Sequence, residues 1–165
     1  MPKPKIHTRL ITLAAAAALI CVDRWIKSLV STAVTGRVLI PGVAGLRYTQ
    51  NTGISFSMFG DSLAAMRVIS VITALVMLAG VVWLLLGKIG GAAPLSAAAL
   101  ILAGGVGNLA DRLMNGFVVD YIELLFMNFA IFNFADICIT CGVALMAGWV
   151  LWTEFRRRKK DGSQS

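Results

Sequence analysis

Carboxylates are the reactive groups this chain has to offer. Its eight acids are Asp23, Asp61, Asp111, Asp120, Glu123, Asp136, Glu154 and Asp161, against one histidine, His7, in a basic N-terminal tail. A single histidine rules out Ser-His catalysis, an H-E-x-x-H zinc site and a His-based phosphatase. No metal-ligand spacing is present either, so no metal and no cofactor is expected. Two carboxylates held close together cannot both ionise cheaply. One keeps a proton while the other stays anionic, which supplies an acid and a base at one pH. The anionic member can deprotonate a water; the protonated member can polarise a carbonyl and later serve a leaving amine. Asp120 follows a β-prone Val118-Val119 and Asp136 opens an apolar segment. If the connection between them folds back, both reach one place.

Each neighbouring motif also has a plainer reading. Asn133-Phe-Ala-Asp136 reads as an N-cap with an acid at N3, a capping-box variant helped by the helix dipole. Asp23 and Lys27 make an i, i+4 acid-base pair. Asn108, Asp111 and Arg112 share one helical face, as a self-satisfied polar cluster or as part of a site. Gly105-Val-Gly107-Asn-Leu-Ala110 matches a dinucleotide fingerprint in letters but follows no strand. With Gly104 it reads instead as a surface for close helix approach. Cys21, Cys138 and Cys141 all lie in apolar stretches, which argues against a disulfide framework. The C-x-x-C at 138 to 141 reads as two small side chains packing on one helical face.

The elements that must position these groups belong to a bilayer. Of 165 residues, 58% are hydrophobic and only 14% charged, far from a soluble average. Four stretches approach the roughly 20 apolar residues a transmembrane helix needs: Leu10 to about Val30, Met66 to Gly87, Ala93 to Ala110, and Phe134 to about Trp152. The net charge of +7 is concentrated beside these segments, in Arg156 to Lys160 and in Lys3, Lys5 and Arg9. That is the pattern of membrane anchors and not of a nucleic-acid partner. Residues 1–22 fail as a cleavable lipoprotein signal, because Ile20 stands before Cys21 where a small residue is wanted and apolar sequence continues beyond.

With four spans both termini share a side, and the positive-inside rule makes it the cytoplasm, with Lys88 in the short 87–93 turn. The connections 31–65 and 111–133 then face outward, and 153–165 is a cytoplasmic basic tail. The expectation is one polytopic domain over residues 1–165. Arg37 to Ile40 and Leu46 to Thr49, set among turn glycines, predict a small sheet on the membrane surface; Asn115-Gly116 predicts a hairpin turn before Phe117. Six of the eight acids fall on the outer side or at outer helix ends. Ionisable groups beside a membrane span are functional candidates by default.

Five pieces in order, Asp23-Arg-Trp-Ile-Lys27, Asn51-Thr-Gly53-Ile-Ser-Phe56, Gly104 to Arg112, Val119-Asp120-Tyr121 and Phe132-Asn133-Phe-Ala135-Asp136, make the chain resemble the lipoprotein signal peptidases. The resemblance implies an all-α membrane protein of four transmembrane helices with a small extracytoplasmic β-cradle from the 31–65 loop. The 111–133 segment would partly cover the site. It implies an aspartic peptidase of the bacterial cytoplasmic membrane acting at the outer face. The substrate would be a diacylglyceryl-modified prolipoprotein, cut just before the lipidated cysteine. Asp120 and Asp136 would be the catalytic pair. Asn51, Gly53, Asn108, Arg112 and Asn133 would line or shape the substrate site, with Asn51 and Arg112 on substrate backbone and Asn133 orienting a carboxylate. Asp23, Lys27 and Asp111 would maintain the architecture. Ile54-Ser55 and Ile137 depart from the family's usual pattern. The competing readings are a proton-coupled transporter and a non-catalytic scaffold. Transporters place carboxylates near the midplane, often on repeated halves, whereas these cluster at the outer ends; a scaffold leaves Asp120 and Asp136 without a purpose.

Overall fold

The computed structural model describes residues 5–33, 36–52, 63–87 and 90–161. Among them are four helices, α1 (Ile6–Ala33), α2 (Leu63–Leu85), α3 (Ala92–Asn115) and α4 (Phe134–Asp161), and three strands, β1 (Arg37–Ile40), β2 (Ala44–Asn51) and β3 (Val118–Leu124). Each helix is long and apolar enough to cross a membrane. At 1.5 Å per residue the 28 residues of α1 or α4 extend about 42 Å, beyond a hydrocarbon core of about 30 Å. Leu75 and Leu78 of α2 are each 61% exposed. In a bilayer these side chains meet lipid, where exposed leucine costs nothing and backbone groups are satisfied within the helix.

Helix α3 is the axis of the bundle: 61% of its apolar span is buried, against 17%, 11% and 17% for α1, α2 and α4. Its small residues explain why. A Cβ added at Gly104 would collide with the Ala135 carbonyl and Ile139 of α4, and one at Gly105 with Met77 of α2. At Gly107 it would lie 2.7 Å from Asp23 Oδ2 of α1. From the other side, a Cβ on Gly142 of α4 would come within 3.0 Å of the Ala97 carbonyl and the Ile101 nitrogen. The fingerprint-like glycines are thus helix-packing positions, which is how small residues associate helices where no hydrophobic force acts between them.

The three strands form one antiparallel sheet in the order β1-β2-β3. Strand β1 is exposed throughout while Val118 to Tyr121 of β3 are buried, so the sheet leans on the bundle through β3. Val30, Val119 and Tyr121 make that junction, with Ile26, Leu46 and Phe134 around them. After β3 the chain reverses, and Phe132 pairs back onto Ile122 with N–H to carbonyl distances of 2.8 and 3.1 Å. This reversal delivers Asn133 and the first turn of α4 to the side of Asp120.

One turn differs from the expectation. Asn115-Gly116 is no hairpin: α3 continues through Asn115, and Gly116 (φ 79°, ψ 5°) caps it in the left-handed region, its N–H donating to the Arg112 carbonyl at 3.2 Å. Glycine adopts that conformation without a Cβ penalty. Leu113 and Met114 are good helix formers, and α3 therefore carries Asp111 and Arg112 on its last turns.

Gly104→Ala and Gly148→Ala separate packing from propensity. Alanine favours a helix interior over glycine by about 1 kcal/mol, yet at Gly104 it meets backbone, while Gly148 has nothing near it. Thermal unfolding in detergent should show Gly104→Ala destabilised by about 1–3 kcal/mol and Gly148→Ala unchanged or stabilised. Equal midpoints would refute the close α3–α4 approach.

Candidate active site

The site is assembled around the start of α4. Asn133 is its N-cap: Asn133 Oδ1 accepts the Asp136 N–H at 2.9 Å, and Asp136 Oδ2 accepts the Asn133 N–H at 3.0 Å. This is the reciprocal capping box with aspartate at N3, so the plain reading of these residues is correct and places a carboxylate at the positive end of the helix dipole. The Asn133 side chain has a second task. Its Nδ2 donates to Asp120 Oδ1 at 2.6 Å and to Asn108 Oδ1 at 3.2 Å, so one residue is hydrogen-bonded to both carboxylates.

Strand register brings the other donors. Thr49 lies opposite Asp120 and Asn51 opposite Val118, and Asn51 Nδ2 donates to Asp120 Oδ2 at 2.8 Å. From α3, Asn108 Nδ2 donates to Asp136 Oδ1 at 2.7 Å. Each carboxylate therefore accepts one N–H on each oxygen. Burial pushes the Asp120 carboxyl up to about 6, and the nearby Asp136 charge adds to that rise. The two amide donors, which favour the ionised form, oppose it.

Behind these residues lies a cluster of charges on α1 and α3. Lys27 Nζ is 2.9 Å from Asp23 Oδ2, 2.9 Å from Asp111 Oδ2 and 3.1 Å from Asn108 Oδ1. Asp23 also accepts the Ala135 N–H and Asp111 the Val119 N–H, each at 3.2 Å. Arg24 completes the cluster by pairing with Asp111. Two cations and two anions leave it neutral, the condition under which charges can be buried.

The structure thus brings Asp120, Asp136, Asn51, Asn108 and Asn133 into one hydrogen-bonded group, with Asp23, Lys27 and Asp111 packed against it. Gly53 lies outside the described residues. Arg112 lines the same cavity, its Nη1 reaching back to the Asn108 carbonyl at 3.5 Å. That cavity, about 570 Å³, has Asp120 and Asp136 in its wall and continues along α4 past Ile137, Ile139 and Thr140. Cys141 is exposed into it while Cys138 is buried. Among the described residues no cluster of His, Cys, Asp and Glu is arranged to hold a metal ion.

Two contributors escaped the sequence reading. Arg24 is the second cation of the buried cluster; its position beside Asp23 on α1 was the available signal. Tyr121 accepts the Phe134 N–H at 3.1 Å and so helps cap α4. Burial pushes its phenol up to about 12, further from ionisation than a free tyrosine.

The sequence model described as signal peptidase (SPase) II matches residues 15–152. The chain is 37% identical to the lipoprotein signal peptidase of Streptococcus thermophilus (strain CNRZ 1066), with 85% of this chain and 91% of the relative covered. It is 35% identical to that of Sphingopyxis alaskensis, with 98% and 95% covered. A bacterial membrane enzyme solved by the in meso method at 1.9 Å resolution superposes with a TM-score of 0.78 at 27% identity, covering 90% of this chain and 96% of that one.

Asn51→Ala tests the local electrostatics. Removing a donor that favours the carboxylate form should move the Asp120 pKa upward from about 6. Carboxyl-carbon NMR of aspartate-labelled protein in detergent would read it, and a downward shift or none would contradict the Asn51–Asp120 bond.

Proposed function

The chain belongs to the signal peptidase II family of aspartic peptidases, and we propose that Asp120 and Asp136 are the pair with which it cleaves. It is a multi-pass membrane protein with lipoprotein signal peptidase activity, removing signal peptides from prolipoproteins. The observation that carries the assignment is Asn133, bonded to both carboxylates at the wall of the cavity.

The two carboxylates take different parts. Asp136 sits at the N-terminus of α4 and accepts a backbone N–H on one oxygen and an amide N–H on the other. It serves as the base, taking a proton from water as the water oxygen attacks the scissile carbonyl carbon. Asp120 keeps its proton and donates to the carbonyl oxygen as negative charge develops there. On collapse of the tetrahedral intermediate the C–N bond breaks. The proton held by Asp136 goes to the leaving amine, and Asp120 recovers its own. Arg112 and Asn51 hold substrate backbone, and Asn133 with Asn108 orients the dyad.

The substrate is a prolipoprotein whose cysteine carries a diacylglyceryl group, cut just before that cysteine. Support comes from the cavity, polar at the dyad and apolar along Ile137 and Ile139 within a membrane span. The basic residues Arg156 to Lys160 lie at the end of α4 remote from the dyad, and Arg9 near the start of α1. By the positive-inside rule both termini are cytoplasmic and the site faces outward across the cytoplasmic membrane. The whole chain acts as one polytopic domain.

Purified in mild detergent and mixed with a diacylglyceryl-modified prolipoprotein, the parent should give the gel shift of a lost signal peptide. Folded Asp120→Asn and Asp136→Asn should each lose at least about a hundredfold in rate. Cleavage surviving either substitution moves the assignment elsewhere. In the same assay kcat/KM should fall as pH rises through about 6, because the free enzyme then loses the Asp120 proton. A rate still climbing above that pH would reverse the two roles.

A further inference from the structure

Lys27 is 3% exposed, and the cleavage scheme gives its charge no task. An ammonium has three protons to donate and accepts nothing. Here it makes ion pairs with Asp23 and Asp111 and donates a hydrogen bond to Asn108 Oδ1. The hydrogen bond is the informative one. Asn108 Oδ1 accepts from Lys27 at 3.1 Å and from Asn133 Nδ2 at 3.2 Å, which leaves Asn108 Nδ2 to face Asp136 Oδ1 at 2.7 Å. Turned over, the amide would set its carbonyl against a carboxylate oxygen and its NH2 against an ammonium. Both contacts would be repulsive.

On the reading that Asp136 is the base, we infer that Lys27 is a positioning residue: it locks the Asn108 amide so that Asp136 receives a donor and is held in place. The two counter-ions extend the same control. Asp23 takes the N–H of Ala135, next to Asp136, and Asp111 takes the N–H of Val119, next to Asp120. One buried ammonium thereby sets the register of α4 and of β3 at the dyad. Asp136 is otherwise faced by Arg112 from α3 and by Asp120 and Tyr121 from β3. Asp23 of α1 touches its helical turn through Ala135. These groups remain in the variants below unless named.

The experiment is a double-mutant cycle on the pH–rate profile, with Asp136→Asn as the control for the dyad itself. Lys27→Met alone strips two buried carboxylates of a counter-ion and can unfold the chain. The cycle therefore uses Asp23→Asn/Lys27→Met, which keeps the cluster neutral, with Asp23→Asn as its reference. Removing Lys27 should displace the acidic limb upward, since Asp136 loses an oriented donor. In an Asn108→Ala background the same removal should leave that limb nearly in place, because the amide through which Lys27 acts is gone. Equal shifts in both backgrounds would mean Lys27 acts through space or on folding alone and would overturn the inference. A folded Lys27 variant with an unmoved acidic limb would do the same. If Asp136→Asn still cleaves, the dyad reading fails and the relay with it; a dead Asp136→Asn with equal shifts sinks the relay only.

Discussion

An ammonium buried in an apolar bundle must find an acceptor for every proton, because an uncompensated charge there costs several kcal/mol. Lys27 is compensated by ion pairs with Asp23 from its own helix and Asp111 from α3 and by a hydrogen bond to Asn108. The two carboxylates accept backbone N–H groups from α4 and β3 in turn. Four elements are thereby fastened at one level of the bundle. Neutrality of the cluster, completed by Arg24 on Asp111, makes its burial tolerable.

That fastening needs backbones to come closer than ordinary side chains permit. Gly104 and Gly107 bring α3 against Ala135 of α4, and Gly107 also leaves room for the Asp23 carboxylate. With bulkier residues there, Asn108 would stand too far from α4 to reach Asp136 and Asn133 at hydrogen-bond distance. In a bilayer the small-residue surface supplies the association that hydrophobic burial supplies in water. Here it also sets the geometry of the dyad. Packing and chemistry share the same residues, so a substitution that opens the α3–α4 seam also displaces a donor from Asp136.

Asn133 shows the same sharing within a single side chain. Its Oδ1 closes the capping box of α4 while its Nδ2 binds Asp120, so the helix start and the dyad are one structure. A capping asparagine and a residue that orients a carboxylate are usually weighed as alternatives. In this fold the cap is what holds the carboxylate, and the fold-back of Phe132 onto Ile122 is what brings that cap to β3.

The amino-acid sequence alone determined the solvent and the chemistry. Four apolar stretches and flanking basic runs announce a bilayer, because span length and charge placement are local properties that the membrane itself enforces. A chain with one histidine and acids at the ends of its spans has carboxylates to work with, and Asp120 and Asp136 stand out as candidates by their flanking residues. Hydrogen-bond partnership was another matter. That Asn108 takes Lys27 on one end and Asp136 on the other, that Arg24 belongs to the buried cluster, and that Gly116 ends a helix where a hairpin was expected were all decided by the tertiary structure. Donors and acceptors far apart in the chain are matched only once helix rotation, strand register and close packing are set, and none of these is written in the local pattern of residues.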